Sequence, residues 1–226
     1  IGTLLGITGP IESISPNMFS AVDLAMKEVN DSGKAANGWV FQSVRADSTC
    51  IDAAAATAAA ERLITVEGVK GIIGGDCSGV TRAVLTNLAM PNGIVMISPS
   101  ATSPALTTDP DDGLFFRTVP SDAREGVVMA DILEARGVKS IALTYSNSDY
   151  GKGLAEAIAN AFIAKGGTVT INASHDDGKA DYSAEVAALA AAGGDLLAVA
   201  GYPDKGGQGI IQARCGDQGR TCWTPE

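Results

Sequence analysis

Small hydroxyl residues and two tyrosines recur in short segments that each follow an apolar run. These segments are 8–15, 75–79, 98–104, 146–151, 201–204 and 225–226. They offer hydroxyl and backbone N–H donors but few bases and no clustered metal ligands. A carboxylate is bound by hydroxyls and by N–H groups at helix N-termini, whereas a buried ammonium needs carboxylate and carbonyl acceptors. The pattern therefore favours binding of a small zwitterion.

Individual residues can be assigned to the two ends of such a ligand. The carboxylate side would be served by residues of the first half: Ser78, Ser100, Ala101 and Thr102. The ammonium side needs an acid, and the second half offers Asp122, Asp204 and Glu226. Two tyrosines can add a hydroxyl or a ring face: Tyr150 and Tyr202. Any one Ser, Thr or Asp of this set, taken alone, is equally well explained as a helix cap.

The elements that must position these residues alternate along the chain. Short apolar runs predict strands at 1–7, 39–46, 69–74, 93–98, 114–119, 140–145, 168–173, 195–200 and 221–224. Amphipathic stretches between them predict helices at 16–30, 53–64, 80–90, 121–135, 153–164, 182–192 and 207–214. Such alternation is typical of an α/β fold with doubly wound parallel sheets covered by helices on both faces. Ligands bind such sheets outside the carboxyl ends of the strands.

Helix starts and apolar faces can be predicted in more detail. Three residues have the type and position of N-caps: Ser15, Asp52 and Ser121. In the first helix, apolar residues recur on one face at Phe19, Val22, Met26 and Val29. In the helix after Ser121, one apolar face is formed by Val128, Ile132 and Ala135.

Two runs of strands and helices meet near residue 120. We therefore expect one α/β lobe at 1–119 and a second at 120–226, with a hinge around 117–122. The last predicted strand has no partner segment, so the second lobe is expected to be incomplete at its C-terminal end. The first strand begins at Ile1 rather than at a Met, so we expect either a removed leader or a start inside a longer protein.

Composition excludes several classes of protein. The chain has 226 residues, 46% of them hydrophobic, and 16 Lys and Arg against 26 Asp and Glu, for a net charge of −10. The hydrophobic fraction is that of a globular protein, and no apolar run is long enough to span a membrane. The acidic balance disfavours nucleic acid and anionic membranes as partners. One His rules out a His-rich metal site, and no nucleotide-binding glycine motif is present, so no cofactor is expected.

The four cysteines leave several interpretations open. No two of the cysteines are closely spaced; they are Cys50, Cys77, Cys215 and Cys222. The absence of a close pair disfavours a zinc site. Their even number weakly favours disulfides in an oxidising compartment over four buried thiols. Residues 75–79 also fit the strand-to-helix turn of a hydrolase or amidotransferase-like enzyme, with Cys77 as its nucleophile. The base would have to be His175, followed by Asp176 and Asp177. A disulfide at Cys77 would exclude this enzyme.

An ordered set of motifs resembles the type I periplasmic substrate-binding proteins of ABC importers, in the branched-chain amino acid (Leu/Ile/Val) branch. The matching stretches are 9–10, 28–33, 47–50 with Cys77, 96–104, 116–122, 149–153 and 201–202. Together they cover essentially the whole chain. One position departs from the pattern, because Ile14 stands where branched-chain binders can carry an aromatic residue over the ligand.

The resemblance implies a fold and a function. It implies two lobes that close on a ligand, most plausibly an amino acid, which is then delivered to a membrane permease. It places Ser78 and Ala101-Thr102 on the α-carboxylate, with Ser100 acting through its backbone. It places Tyr150, Tyr202 and Glu226 on the ammonium or side-chain side. An exported, extracytoplasmic protein with a signal peptide is implied, and a ligand-sensing receptor ectodomain of the same fold remains an alternative.

The resemblance also bears on the cysteines. It implies a disulfide between Cys50 and Cys77, which are 27 positions apart. A second bridge between Cys215 and Cys222 would close a loop of 7 positions across a helix-to-strand turn. On chain-entropy grounds the first would contribute roughly 3–4 kcal/mol and the second about 2–3 kcal/mol.

Overall fold

The computed structural model of the chain describes residues 1–202 and 206–218, with side chains up to Arg214. The strands of this part are β1 (Gly2–Leu5), β2 (Val44–Asp47), β3 (Gly71–Gly74), β4 (Val95–Ser98), β5 (Phe115–Arg117), β6 (Ser140–Ser146), β7 (Thr168–His175) and β8 (Leu196–Ala200). Its α-helices are α1 (Ser15–Asp31), α2 (Ala53–Thr65), α3 (Ser78–Val84), α4 (Met90–Asn92), α5 (Ala105–Thr108), α6 (Asp122–Ala135), α7 (Asp149–Ala164), α8 (Ser183–Ala192) and α9 (Gly206–Gln218). A π-helical turn, Leu85–Ala89, joins α3 to α4.

Two parallel sheets confirm the predicted α/β class. The first has the strand order β2-β1-β3-β4-β5 and the second has the order β7-β6-β8. Every paired neighbour runs parallel. The chain reverses its winding direction between β1 and β3 in the first sheet, and between β6 and β8 in the second. Loops diverge at the carboxyl end of such a reversal, which leaves room for a ligand.

The chain divides into two compact units. The first comprises Ile1–Thr102 and Leu106–Pro120, and the second comprises Ser103–Ala105 together with the chain from Ser121 onward. The sequence placed Ser103–Ala105 in the first lobe, and here the structure differs. These residues pack on α7 instead, where a Cβ added to Gly153 would lie 2.9 Å from Pro104 Cδ.

Each unit has its own apolar core. In the first, Ile72 and Met96 are register partners on β3 and β4, and Leu4 lies on the neighbouring strand β1, paired with Gly74; these three apolar residues are at most 2% exposed. In the second, Ile141, Leu143 and other residues of one sheet face pack against α6 and α7, while Ala142 on the other face packs against α8 and α9. Within the described residues, no helix is long and apolar enough to cross a lipid bilayer.

Two of the three predicted N-caps are confirmed. Asp52 accepts hydrogen bonds from the N–H groups of the first turn of α2, and Ser121 accepts one from Ala123 N at 3.2 Å. Ser15 is not a cap, because it is already helical and Ile14 occupies the cap position. Its hydroxyl oxygen instead lies within hydrogen-bond distance of two carbonyl oxygens behind it, those of Ile11 at 2.8 Å and of Gly6, and shares its one proton between them. Ser15 therefore fastens α1 to the loop that follows β1.

The apolar spacing of α6 points to the wrong face. Gly126, Ala130 and Leu133 are its buried residues, whereas Val128 and Ile132 are 39% and 41% exposed. A Cβ on Gly126 would lie 2.5 Å from the backbone carbon of Ala157 in α7. The two helices approach so closely that small residues, rather than the larger apolar ones, form the contact. The face predicted for α1 is correct for Phe19, Val22 and Met26, although Val29 is exposed.

One face of the first sheet is only partly covered by the described residues. Val95 and Ile97 of β4 and Phe116 of β5 are between 37% and 54% exposed, while Met96 between them is fully buried. Helix α1 lies on the side where Val95 and Ile97 point, because Val22 and Met26 line one cavity with them. The predicted strand at 221–224 lies outside the described residues, and the strand predicted at 39–46 is confined to β2.

The disulfide implied by the resemblance is present between Cys50 and Cys77. It joins the loop after β2 to the N-terminus of α3, and both cysteines are 4% exposed. Thr49 and Cys50 both adopt left-handed backbone conformations, with φ of 56° and 68°. This conformation is unfavourable for residues with a Cβ, so the loop needs the cross-link and its hydrogen bonds to stay in place.

Replacing Cys50 and Cys77 together by Ala should lower the free energy of unfolding by about 3.5 kcal/mol, because the closed loop of 27 positions regains its entropy in the unfolded chain. Urea denaturation followed by circular dichroism measures the change. The matched double variant, Cys215→Ala with Cys222→Ala, opens at most a loop of 7 positions. Its free energy of unfolding should therefore fall by less than that of the first variant. Equal midpoints for the wild type and the first variant would contradict this prediction.

Candidate functional site

A buried carboxylate organises the carboxyl edge of the first sheet. Asp76, 2% exposed, lies two positions after β3 and accepts from the N–H of Gly6, from Ser48 Oγ at 2.7 Å and from Cys77 N at 3.0 Å. These donors belong to the loops after β1, β2 and β3. Burial raises the pKa of the Asp76 carboxyl above its ordinary value, although the hydrogen bonds from Gly6, Ser48 and Cys77 oppose that shift.

A second, more exposed carboxylate accepts hydrogen bonds from the loops after β1 and β2 at the same edge. Asp47, the last residue of β2, accepts from Ile7 N at 2.9 Å, Thr8 Oγ1 at 2.7 Å and Thr49 N at 2.8 Å. Burial alone would raise its pKa, but these hydrogen bonds outweigh burial and hold the pKa of Asp47 below its ordinary value. Gly9 approaches this loop so closely that a Cβ would lie 2.3 Å from Thr49 O, and its φ is +102°. Only glycine fits there.

The predicted carboxylate-binding segment is held against this edge. Ser100 Oγ donates to Asp76 O at 2.8 Å, and Ala101 N donates to Ser98 Oγ at 2.9 Å. Arg117 of β5 clamps the segment from its other side, since Nη1 donates to Ala101 O at 3.2 Å. Ala101 is 1% exposed and Thr102 is half-buried. The segment after β4 is therefore a fixed strip of backbone and hydroxyl groups.

Ser78 lies at the start of α3, beside that strip. It is 2% exposed and follows the disulfide-bonded Cys77, which occupies the cap position of the helix. Because Ser100 is bonded to the residue two positions before Ser78, the segments after β3 and β4 are brought together. All four first-half residues predicted from the sequence thus lie on one edge of one sheet.

The second unit brings Tyr150 and Tyr202 together at its own reversal point. Tyr150 follows β6 and Tyr202 follows β8, and their ring centroids are 5.2 Å apart with planes inclined at 40°. Tyr202 is 8% exposed. Asp122, 1% exposed at the start of α6, interacts electrostatically with Tyr150. Burial, and then the carboxylates of Asp122 and Glu125, raise the pKa of Tyr150 to about 12. Its phenol therefore stays protonated near neutral pH.

Some predicted residues lie outside the described part of the chain. These are Asp204, Glu226 and Cys222, together with the side chain of Cys215. Within the described part, no group of three or more His, Cys, Asp or Glu side chains could hold a metal ion.

Sequence reasoning missed the residues that support the site. Asp47 is the last residue of β2 and Asp76 lies two positions after β3, which is a usable signal, but nothing local indicates that one carboxylate reaches three loops. Arg117 was counted only within a motif, and its contact with Ala101 depends on the pairing of β4 with β5. His175, considered only as a base for Cys77, is instead buried in the second unit.

Comparison with known proteins supports this architecture. A sequence model described as periplasmic binding protein matches residues 1–220. The chain belongs to the periplasmic binding protein family. One relative, the Leu/Ile/Val-binding protein of Escherichia coli K12, is 31% identical to this chain over 209 residues. These residues are 92% of this chain and 56% of that protein. Leu/Ile/Val-binding protein homolog 3 of Brucella melitensis is 30% identical, over 92% of this chain and 55% of its own length.

Solved structures agree with the fold of the family. A leucine-binding protein from Thermotoga maritima superposes with a TM-score of 0.78 at 25% identity, over 88% of this chain and 55% of the other. A solute-binding protein of an ABC transporter from R. palustris, in complex with 4-hydroxybenzoate, has a TM-score of 0.81 at 22% identity, over 96% and 57%. The second likeness concerns the fold alone. The chain spans little more than half the length of the relatives it matches.

The enzyme interpretation of Cys77 is wrong. Its sulfur is bonded to Cys50, so no thiolate is available as a nucleophile. The only His of the chain packs within the second unit, whereas Cys77 belongs to the first. The strand-to-helix turn that resembles a nucleophile elbow instead carries Asp76 and the disulfide.

Asp76→Asn should lower the free energy of unfolding by about 2–3 kcal/mol. One carboxylate oxygen accepts from Gly6 and the other from Ser48 and Cys77, so an amide must turn its NH2 toward an N–H donor in either orientation. This mismatch outweighs the relief of burying a neutral group. Chemical denaturation measures this loss of stability. Asp23, in a half-exposed ion pair with Arg45, provides the matched control. Asp23→Asn should lower the free energy of unfolding by less than about 1 kcal/mol. Similar losses in the two variants would refute the role of Asp76.

Proposed function

We propose that this protein captures an α-amino acid outside the cytoplasm and delivers it to an ABC importer. The pairing of Tyr150 and Tyr202 at the reversal point of the second sheet, with the buried Asp122 beside them, carries the proposal. An acidic, tyrosine-lined edge suits an ammonium group and an apolar side chain. Leu/Ile/Val-binding relatives at about 30% identity support the same class of ligand.

The first unit would hold the carboxylate of the ligand. The hydrogen bonds from Ser100 to Asp76, from Ala101 to Ser98 and from Arg117 to Ala101 hold the segment after β4 in place. The ligand carboxylate would then be met by the hydroxyl groups of Thr102 and Ser78. Fixed donors bind an anion without an entropic cost of ordering loops. Glu226 would add a negative charge on the ammonium side, as the resemblance implies. Family membership supports a permease partner and export to the periplasm as parts of this proposal.

A panel of ligands tests the proposal on the full-length protein. L-Leucine, L-isoleucine and L-valine should raise the unfolding temperature, since a ligand at 100 times its Kd adds about 2.7 kcal/mol of stability. Leucinamide lacks the carboxylate and 4-methylpentanoate lacks the ammonium, so each should bind at least about 100-fold more weakly, as a buried charged group then loses its partner. If 4-hydroxybenzoate binds and no amino acid does, the amino-acid assignment is wrong.

Thr102→Val should weaken L-leucine binding about tenfold, because one hydroxyl donor to the carboxylate is lost while the shape is kept. Isothermal titration calorimetry measures the Kd. The free energy of unfolding without ligand should stay within about 0.5 kcal/mol of the wild-type value. Thr65→Val, on an exposed position of α2, is the matched control and should leave the Kd unchanged. An unchanged Kd for Thr102→Val would remove Thr102 from the site.

A further inference from the structure

A histidine lies directly behind the segment that carries Tyr202. His175 ends β7, its side chain is fully buried, and a Cβ added to Gly201 would lie 3.4 Å from its Nε2. Its other side meets the first turn of α9, where a Cβ on Gly206 would lie 2.7 Å from His175 Cδ2. The imidazole therefore requires glycine at 206, and at 201 it leaves a side chain in van der Waals contact with the ring.

The hydrogen bonds of His175 define its tautomer. Thr144 Oγ1 donates its single proton to Ala173 O at 2.9 Å, and the same oxygen lies 2.9 Å from His175 Nδ1. Because Ala173 O can only accept, we assign the hydroxyl proton to that contact, and Nδ1 then carries a proton and donates to Thr144. In the neutral ring, Nε2 is then an acceptor with a lone pair.

This lone pair faces a carboxylate instead of a donor. Nε2 has no hydrogen-bond partner among the described residues, and Asp177 Oδ1, 3.9 Å away, is equally without one there. The other oxygen of Asp177 accepts from Ser146 Oγ at the end of β6. A separation of 3.9 Å is too long for a hydrogen bond, so two buried acceptors confront each other.

The charges around the ring come from three directions. Asp176 and Asp177 follow it in the loop after β7. Glu185 of α8, which is paired with Lys179, also acts on the ring. Tyr182 packs edge-on against the ring with centroids 6.2 Å apart, and Gly206 is the residue of α9 that touches it. Burial lowers the pKa of His175, and the carboxylates of Asp177, Glu185 and Asp176 only partly oppose that shift.

We propose that His175 is a positioning residue for Tyr202, and that its neutral ring links ligand affinity to pH. A proton taken up at Nε2 turns the facing acceptors into a donor and an acceptor, which attract each other. Closing the gap from 3.9 Å to hydrogen-bond distance moves Asp177 or the ring against Gly206, where an added Cβ would lie 2.7 Å from His175 Cδ2 and 2.9 Å from Asp177 Oδ1. The segment of Gly201 and Tyr202 shifts with it, and ligand affinity falls in acid.

The sign of the effect follows from proton linkage. The pKa is lower in the folded protein than the ordinary value of about 6.5, so the unfolded chain binds the proton more tightly. The stability that neutral His175 contributes is fully present above about pH 6.5 and is lost as the pH falls below it. The Kd of a ligand that needs the neutral form can rise by at most tenfold per pH unit, since one proton is involved.

Nuclear magnetic resonance on the full-length protein gives the first test. The chain contains one His, and the ring signals that vanish in His175→Asn belong to it. We expect a pKa below 6.5, with the amide signals of Gly201 and Tyr202 titrating at the same pH. In Asp177→Asn, which keeps an acceptor for Ser146, the pKa should fall further because a nearby carboxylate is lost. A pKa of 6.5 or above, or amide signals that do not follow it, overturns the proposal.

Affinity for L-leucine, measured between pH 5 and 8, gives the second test and rests on the proposed function. In wild type the Kd should rise as the pH falls, and in His175→Asn, which keeps a donor to Thr144, it should not change. Ser174→Ala, at the exposed neighbouring position of β7, should behave as wild type. A parallel pH dependence in His175→Asn overturns the proposal. If L-leucine binds at no pH, the amino-acid assignment fails. The coupling between His175 protonation and the position of Tyr202 is then decided by the nuclear magnetic resonance titration alone.

Discussion

The carboxylate of Asp76 is the interaction on which the first unit depends. It lies at the reversal point between β1 and β3, and its two oxygens hold the loops after β1, β2 and β3 in one arrangement. A buried carboxylate must be hydrogen-bonded, so none of these loops can leave without exposing an unsatisfied charge. The Cys50–Cys77 disulfide and Asp47 add further ties to the same loops. Donors built on this edge are therefore ordered before any ligand arrives.

The second unit positions its residues by close packing instead. Gly206 lies against His175 and Asp177, and a Cβ on Gly209 would lie 2.5 Å from the ring of Tyr182. Two glycines of α9 thus allow the helix to approach β7 and α8, which sets where the preceding Tyr202 can lie. The two edges respond to acid through different groups. At the first, burial raises the pKa of Asp76, and hydrogen bonds outweigh burial to lower the pKa of Asp47. At the second, burial lowers the pKa of His175.

Local patterns in the sequence predicted the elements well and the faces less well. Asp52 and Ser121 cap their helices because capping depends only on the next three residues. Ser15 has the same local pattern, yet it bonds to Gly6 and Ile11, since the loop after β1 lies within its reach. In α6 the larger apolar residues are outside, because the distance to α7 at Gly126 admits only small residues. Interhelical distance is a tertiary quantity that periodicity does not contain.

The sequence by itself determined the alternation of strands and helices, and hence the parallel sheets and the candidate residues after each strand. Only the tertiary structure decided which of those residues meet. Tyr150 and Tyr202 are 52 positions apart and touch because β8 pairs with β6. Ser100 reaches Asp76 because β4 lies beside β3. Burial of Asp76 and His175, which sets the charge each can carry, likewise depends on the packing of several elements at once. Hydrogen bonds and desolvation act through space, so chain order alone does not define them.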